Sequence, residues 1–248
     1  MRKHNQYSMA LDYHENTKTL VKPQSFDPKI AYKIYPSAKA IVLEKNHHMN
    51  VMPNVDRFLR TLLARKSTRE FSHQGIRFGD LSQLVTLSCG LRGKDDNYDF
   101  RTYASAGGRY PIEVYVAVLE SKEIDKGVYH FNVRDNSLEL IKAGDCCDKV
   151  REFYQNQCEV ITTTYSCLIL FSMVPNRTMD KYGERGYRFI LLDAGHMSQN
   201  LYLVATYLGM GIVELGAGAS SDDILDNILG LTDDESVFLG FALGYPNL

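Results

Sequence analysis

The chain has 248 residues, with 30 acidic against 28 basic side chains and a formal net charge of −2. At about 150 residues per domain this length holds one large domain or two small ones, and 44% hydrophobic residues exclude a largely disordered chain. The charge balance lacks the basic stripe of a nucleic-acid binder, and no apolar run approaches the roughly 20 residues of a membrane span. Residues 1–54 are polar and carry Pro23, Pro28, Pro36 and Pro53, four of the seven prolines. With little periodicity they predict an extended arm, and an arm rich in Tyr and Lys suits the surface of a partner subunit. From Val55 to Ala64 the spacing of Val55, Phe58, Leu59, Leu62 and Leu63 predicts a helix, with Asn54 and Asp56 as capping signals. A second short helix is expected over residues 80–88.

Beyond Pro111 the pattern turns to strands. Residues 112–119, 127–133 and 137–141 are β-rich, and Asp135-Asn136 predicts a turn joining the last two as a hairpin. Residues 146–160 read as a helix. The unbroken apolar run over residues 166–174 fits a strand buried on both faces. Ile190, Leu191, Ala194, Met197, Leu201, Val204, Ala205 and Leu208 recur in steps of three and four, predicting a long central helix from Arg185 to Leu208. A strand at 212–215, a helix at 221–229 and a strand at 236–243 complete the chain. The order implies an α+β fold with no βαβ alternation and no internal repeat.

The five cysteines, Cys89, Cys146, Cys147, Cys158 and Cys167, form no CxxC pair and give neither a disulfide framework nor a zinc ribbon. No signal-type apolar run follows Met1, so a cytoplasmic location is expected. The seven histidines show no ligand spacing, and no metal site is expected. There is no P-loop, no strand-to-helix GxGxxG and no GxSxG elbow.

Three clusters carry chemistry. In Arg65-Lys66-Ser67-Thr68-Arg69, an extended backbone would project Arg65, Ser67 and Arg69 to one side. Such a face suits a phosphate or another anion, or the segment is a solvated basic turn after a helix. In the second cluster, Ser105-Ala106-Gly107-Gly108, the glycines allow backbone amides to approach a flat or anionic ligand, or make an ordinary turn. The third, Lys181-Tyr182-Gly-Glu-Arg185, sets an amine beside a fixed positive charge. With partial burial that neighbour would favour the neutral amine, the form that acts as a base. A charged loop capping the following helix is the other reading, with Asp180 and Glu184 neutralising the basic groups.

In this order the clusters resemble the nitroreductase superfamily of FMN flavoproteins. They look most like its SagB-type dehydrogenase branch, the azoline oxidases of thiazole- and oxazole-forming peptide maturation. Tyr13-His-Glu-Asn-Thr-Lys18 and Lys33-Ile-Tyr-Pro36 resemble that branch's N-terminal signature. Arg65-x-Ser67-x-Arg69-x-Phe71 is similar to the flavin-phosphate segment, and Ser105-Ala-Gly-Gly-x-Tyr-Pro111-x-Glu113 to the loop lying against the isoalloxazine ring. Lys181-Tyr182-Gly-Glu-Arg185-Gly-Tyr187 resembles the catalytic segment, and Asp193-Ala-Gly-His196-x-x-Gln199-Asn200 the central dimer helix.

The resemblance implies a nitroreductase-like α+β fold, a mixed, mostly antiparallel sheet packed by helices around a long dimer helix. It divides the chain into an arm, residues 1–54, embracing the partner subunit and an FMN-binding domain, residues 55–248. It implies Lys181 and Tyr182 as catalytic and Arg185 as supporting. FMN would be bound by Arg65, Lys66, Ser67, Arg69, Ser105, Ala106, Gly107, Gly108, Gln199 and Gly216. Its expected activity is oxidation of azolines to azoles in a ribosomally made peptide, by Cα deprotonation and hydride transfer to flavin N5. A homodimer is implied, and by extension a complex with a cyclodehydratase. An NAD(P)H-dependent nitro or quinone reductase is the alternative, and a catalytically idle flavin-binding scaffold in a peptide-modifying complex the second. Two residues depart from the pattern: Ala104 where proline is common, and Arg109 where an apolar residue is common. Arg109 is left to a substrate carboxylate, a cofactor phosphate or solvent.

Overall fold

An unbroken apolar run needs burial on both faces, and residues 166–174 obtain it at the centre of a sheet. The structure is a computed structural model that describes residues 8–17, 33, 57–94, 99–157, 165–215 and 221–247. Gly216, Cys158 and most of the arm lie outside the described residues. The apolar run forms β6 (Cys167–Met173), buried at every position, between β3 (Ile112–Val118) and β8 (Ser236–Gly244). With β4 (Gly127–Asn132), β5 (Ser137–Ala143) and β7 (Gly211–Leu215) these strands take the order β5-β4-β3-β6-β8-β7. Every ladder in this sheet is antiparallel. Among the described residues the parallel component of the expected mixed sheet is one bridge outside the strands, Ile76 to Ser121. The predicted hairpin is present, with Asn136 at φ +48° in the turn, a left-handed conformation that Asn tolerates.

Period-two alternation assigns the strand side chains to two cores. Val114, Val116, Ile169, Phe171 and Phe241 pack under α6 (Gly186–Tyr207) and α3 (Phe78–Cys89). Tyr115, Leu168, Leu170 and Ala242 pack on the other face with Val150 and Tyr154 of α4 (Cys146–Gln157) and Leu225 of α7 (Ser221–Leu229). The helix expected to be central, α6, buries Ile190, Ala194, Met197, Leu201 and Ala205 against the first of these cores. No helix among the described residues is long and apolar enough to cross a membrane.

Three features differ from the sequence expectation. Part of the arm is helical: α1 (Ser8–Thr17) buries only Ala10, and the amides of Met9 and Ala10 donate to Glu184 Oε1 and Oε2 at 3.2 and 2.8 Å. His14 Nδ1 lies 2.9 Å from the Tyr187 hydroxyl. The groups that satisfy this helix are therefore remote in sequence, and local pattern carries no trace of them. A short helix, α5 (Asn176–Tyr182), replaces the loop expected after β6, and β1 (Leu91–Lys94) pairs with β2 (Asp99–Arg101) where no strands were expected. The helix expected over residues 55–64 is present as α2 (Arg57–Ala64), with Phe58, Leu59, Leu62 and Leu63 turned outward and exposed.

Candidate active site

Helix α5 ends on Lys181 and Tyr182 because Gly183, at φ +60°, turns the chain while its amide bonds the Met179 carbonyl. Both side chains point at the glycine loop. Gly107 has φ +63°, and a methyl group placed there would stand 2.4 Å from the Tyr182 hydroxyl and 2.8 Å from Lys181 Nζ. Lys181 Nζ sits 5.2 Å from the centre of the Tyr182 ring. That ring meets Phe189 edge-on at 5.1 Å, and the Arg185 guanidinium lies over Phe189 at 5.9 Å. Arg185 thus reaches the pair through Phe189. Lys181 is exposed in this chain, so the partial burial expected of it is absent here.

The loop is held by a residue that the sequence reading placed only within a helix motif. Buried Asp193 of α6 accepts the Ser105 hydroxyl at 2.5 Å and the Ala106 amide at 3.3 Å. Ser105 Oγ in turn accepts the Tyr110 amide at 2.9 Å, and His196 Nδ1 donates to the Ala104 carbonyl at 3.0 Å. Burial raises the Asp193 carboxyl above its usual range, while the Ser105 hydroxyl and the Ala106 amide pull it back. An acid on the buried side of an apolar helix is the signal that marks such a residue. Arg109 is exposed and spends its Nε on the Arg177 carbonyl at 2.6 Å.

The basic segment lies elsewhere on α6. The Thr68 amide bonds the Ile212 carbonyl at 2.9 Å, which lays the segment along β7. Ser67 Oγ is 3.3 Å from the Tyr202 hydroxyl, and Arg65 stands over the same ring at 5.4 Å. Lys66 and Arg69 are exposed. The Tyr202 hydroxyl accepts the Glu214 amide at 2.8 Å, so its own proton is available to Ser67. Beside this segment runs a groove of about 430 Å³ lined by Leu191, Ser198, Gln199, Tyr202, Glu214 and Phe238 among others. Ser198 Oγ is buried there without a hydrogen-bond partner.

The structure thus joins Ser105, Ala106, Gly107, Lys181 and Tyr182 at one place, and Arg65, Ser67 and Gln199 at another. Helix α6 measures their separation. From Asp193, which holds the loop, to Tyr202, which holds the basic segment, is about two and a half helical turns. The two residues therefore point in opposite directions, about 13 Å apart along the axis. Between these flanks the helix exposes Leu191, Leu192, Gly195 and Gln199. Among the described residues no cluster of His, Cys, Asp and Glu could hold a metal ion.

Known proteins resemble this chain in sequence and fold. The Methanocaldococcus jannaschii protein MJ1384, itself named a nitroreductase, is 31% identical over 156 residues, covering 63% of this chain and 76% of its own. The Escherichia coli microcin B17-processing protein McbC is 26% identical over 196 residues, covering 74% of this chain and 72% of its own. In the solved E. coli microcin synthetase McbBCD complex with truncated pro-MccB17 bound, one chain superposes with a TM-score of 0.76 at 18% identity. The match covers 98% of this chain and 94% of that one. Residues 62–245 match the model of the nitroreductase family. With that match over most of its length and a fold in agreement, the chain is an oxidoreductase that belongs to the nitroreductase family.

Proposed function

We propose that the protein is an FMN-dependent dehydrogenase that oxidises azolines to azoles in a ribosomally made peptide. The meeting of Lys181 and Tyr182 at Gly107 carries this reading. Aromatising an azoline removes a proton from the ring Cα and a hydride equivalent from the same ring. A nitro or quinone reductase needs no dedicated base, whereas a proton on carbon does. The likeness to McbC, a microcin-processing protein, supports the same reading.

The chain's residues fit FMN on three counts. Arg65, Lys66, Ser67 and Arg69 offer the cations and hydroxyl that suit a dianionic phosphate. The groove holds the orphaned Ser198 hydroxyl beside Gln199. Gly108, also at φ +63°, has no atom within 4 Å of where a side chain would begin, which leaves Ser105–Gly108 open to a flat ligand. Gly216 belongs to the same proposed set. FMN bound there supplies the hydride acceptor.

In this reading Lys181 Nζ takes the Cα proton, Tyr182 orients the ring or relays that proton, and Arg185 steadies the pair through Phe189. Asp193 fixes the loop they face. Because the loop and the basic segment flank opposite sides of α6, a site that uses both takes one from each of two copies. The exposed apolar stripes of α2 and α6 suit that contact; α1 is tied to Glu184 and Tyr187 of its own chain, so the arm proposed for the partner's surface is the remainder of residues 1–54. A cyclodehydratase that forms the azoline is the expected companion enzyme.

The test is direct. FMN-loaded protein and a synthetic thiazoline- or oxazoline-containing peptide are incubated in air, and mass spectrometry reads the loss of two hydrogens per ring. Rapid bleaching by NAD(P)H with nitroaromatic turnover and no azole would overturn the proposal in favour of a reductase. Protein that cannot be loaded with FMN would leave a scaffold.

Gly107→Ala is a second expected result. The flexible ends of Lys181 and Tyr182 can swing away from the new methyl, so the stability cost is mainly the left-handed backbone, about 1–2 kcal/mol. The displaced groups would lose turnover by about a hundredfold. Thermal melting and peptide turnover measured together separate the two effects.

A further inference from the structure

Helix α5 is short, and among its residues only Thr178 and Met179 are buried, yet it carries the two groups that must meet Gly107. Its first turn is tied to the stretch that follows the glycine loop. Arg177 Nη1 pairs with Glu113 Oε1 and also donates to the Tyr110 carbonyl at 3.2 Å. The Arg177 carbonyl accepts Arg109 Nε at 2.6 Å, and the Val174 amide donates to the Pro111 carbonyl at 2.8 Å. These contacts join residues 109–113 to residues 174–177. The first stretch begins two residues after Gly107, and the second ends one helical turn before Lys181.

Glu113 is itself held from the far side. Its Oε2 lies 3.1 Å from His130 Nε2, and His130 Nδ1 lies 3.2 Å from Glu139 Oε2. Burial pushes the Glu113 carboxyl up, but His130 and Arg177 together more than offset this and hold it below the usual carboxylate range. The Glu113 side chain is 15% exposed and that of Arg177 40%. Solvent reaches the pair from the Arg177 side and screens it, which limits its contribution to stability. Its geometry is more specific than its energy: one guanidinium spans a carboxylate and a loop carbonyl, of which an ammonium can keep the carboxylate contact but not both.

We propose that Arg177 and Glu113 form a positioning pair that sets the approach of Lys181 and Tyr182 to Gly107. The proposal rests on the reading that these two side chains face the reacting ring. Neither Arg177 nor Glu113 touches that ring. They act through α5 and the loop.

The experiment compares Arg177→Met, Arg177→Lys and Glu113→Gln in the full-length, FMN-loaded protein. Acetic anhydride is the probe, and the acetylation rate of Lys181 is read by peptide mass spectrometry. Thermal melting, FMN affinity by fluorescence quenching and azoline-peptide kinetics are measured on the same samples. In Arg177→Met, Lys181 is released from its place over Tyr182 and should acetylate severalfold faster. Turnover should fall by about tenfold in kcat with KM little changed, while melting temperature and FMN affinity stay near wild type. Arg177→Lys should recover part of both effects.

Unchanged Lys181 reactivity and kcat in Arg177→Met would overturn the proposal. So would losses that follow a fall in melting temperature without recovery in Arg177→Lys. If Arg177→Met does not fold, Arg177→Lys and Glu113→Gln decide by the same readouts. Should Lys181→Ala retain full turnover, the base assignment fails, and acetylation of Lys181 still judges the positioning pair.

Discussion

Lys181→Ala is expected to leave a yellow, folded protein that has lost nearly all azole formation. The side chain is exposed, so its removal opens no cavity. Its attraction to the Tyr182 ring is worth about 0.5–1 kcal/mol at an exposed site, and little stability is at stake. None of the four residues proposed to hold the FMN phosphate is touched. A positioned general base contributes about 10²–10⁴-fold to a proton transfer, and the rate should fall by that factor. Tyr182→Phe keeps the ring that packs on Phe189 and removes only the hydroxyl aimed at Gly107. Its loss should be smaller if the hydroxyl orients the ring and comparable if it relays the proton. Flavin absorbance, thermal melting and loss of two hydrogens from an azoline peptide are the measurements. Normal turnover in Lys181→Ala would remove Lys181 from the chemistry.

The sequence displays the parts of this site more clearly than their arrangement. Residues 166–174 announce a strand buried on both faces because burial on both sides needs no polar alternation. The central helix is equally plain, since its core-facing residues recur at a helical period over five turns. Elements held by distant partners are not legible in this way. The amides that begin α1 are satisfied by Glu184, so the local pattern of residues 8–17 predicts nothing. Helix α5 is too short for periodicity to distinguish it from a loop, and its register comes from Arg177 bridging to Glu113 and Tyr110.

The candidate site divides along the same line. Residue types single out Lys181, Tyr182 and the glycine pair, and the spacing of Arg65, Ser67 and Arg69 singles out the segment proposed to hold the phosphate. That Gly107 rather than Gly108 faces Lys181 depends on how Asp193 holds the Ser105 and Ala106 end of the loop. The apolar stripe of α2 is legible as a helix, but periodicity marks an apolar face without naming what covers it, and here the stripe is exposed. The placing of the two halves on opposite flanks of α6 is invisible until that helix serves as a ruler.

With each site shared between two copies, as proposed, that opposition leads to an expected result that a single-chain site cannot produce. One protomer carries Arg65→Ala with Arg69→Ala and a different affinity tag from its partner, which carries Lys181→Ala. Each variant alone should be nearly inactive, the first for want of phosphate contacts and the second for want of a base. The mixed dimer, isolated by both tags in turn, contains one site built from the two damaged halves and one built from the two intact halves. It should therefore recover about half of wild-type turnover per dimer, since a two-fold axis makes two equivalent sites. Were the basic segment and the Lys-Tyr pair to serve the same chain's flavin, every site in the mixed dimer would be damaged and activity would stay at the level of the parents. The predicted swing is from near zero to half, well outside any effect of tags or of small differences in stability. Its physical basis is the half-turn between Asp193 and Tyr202: a loop and a basic segment facing away from each other across one helix face each other only across two.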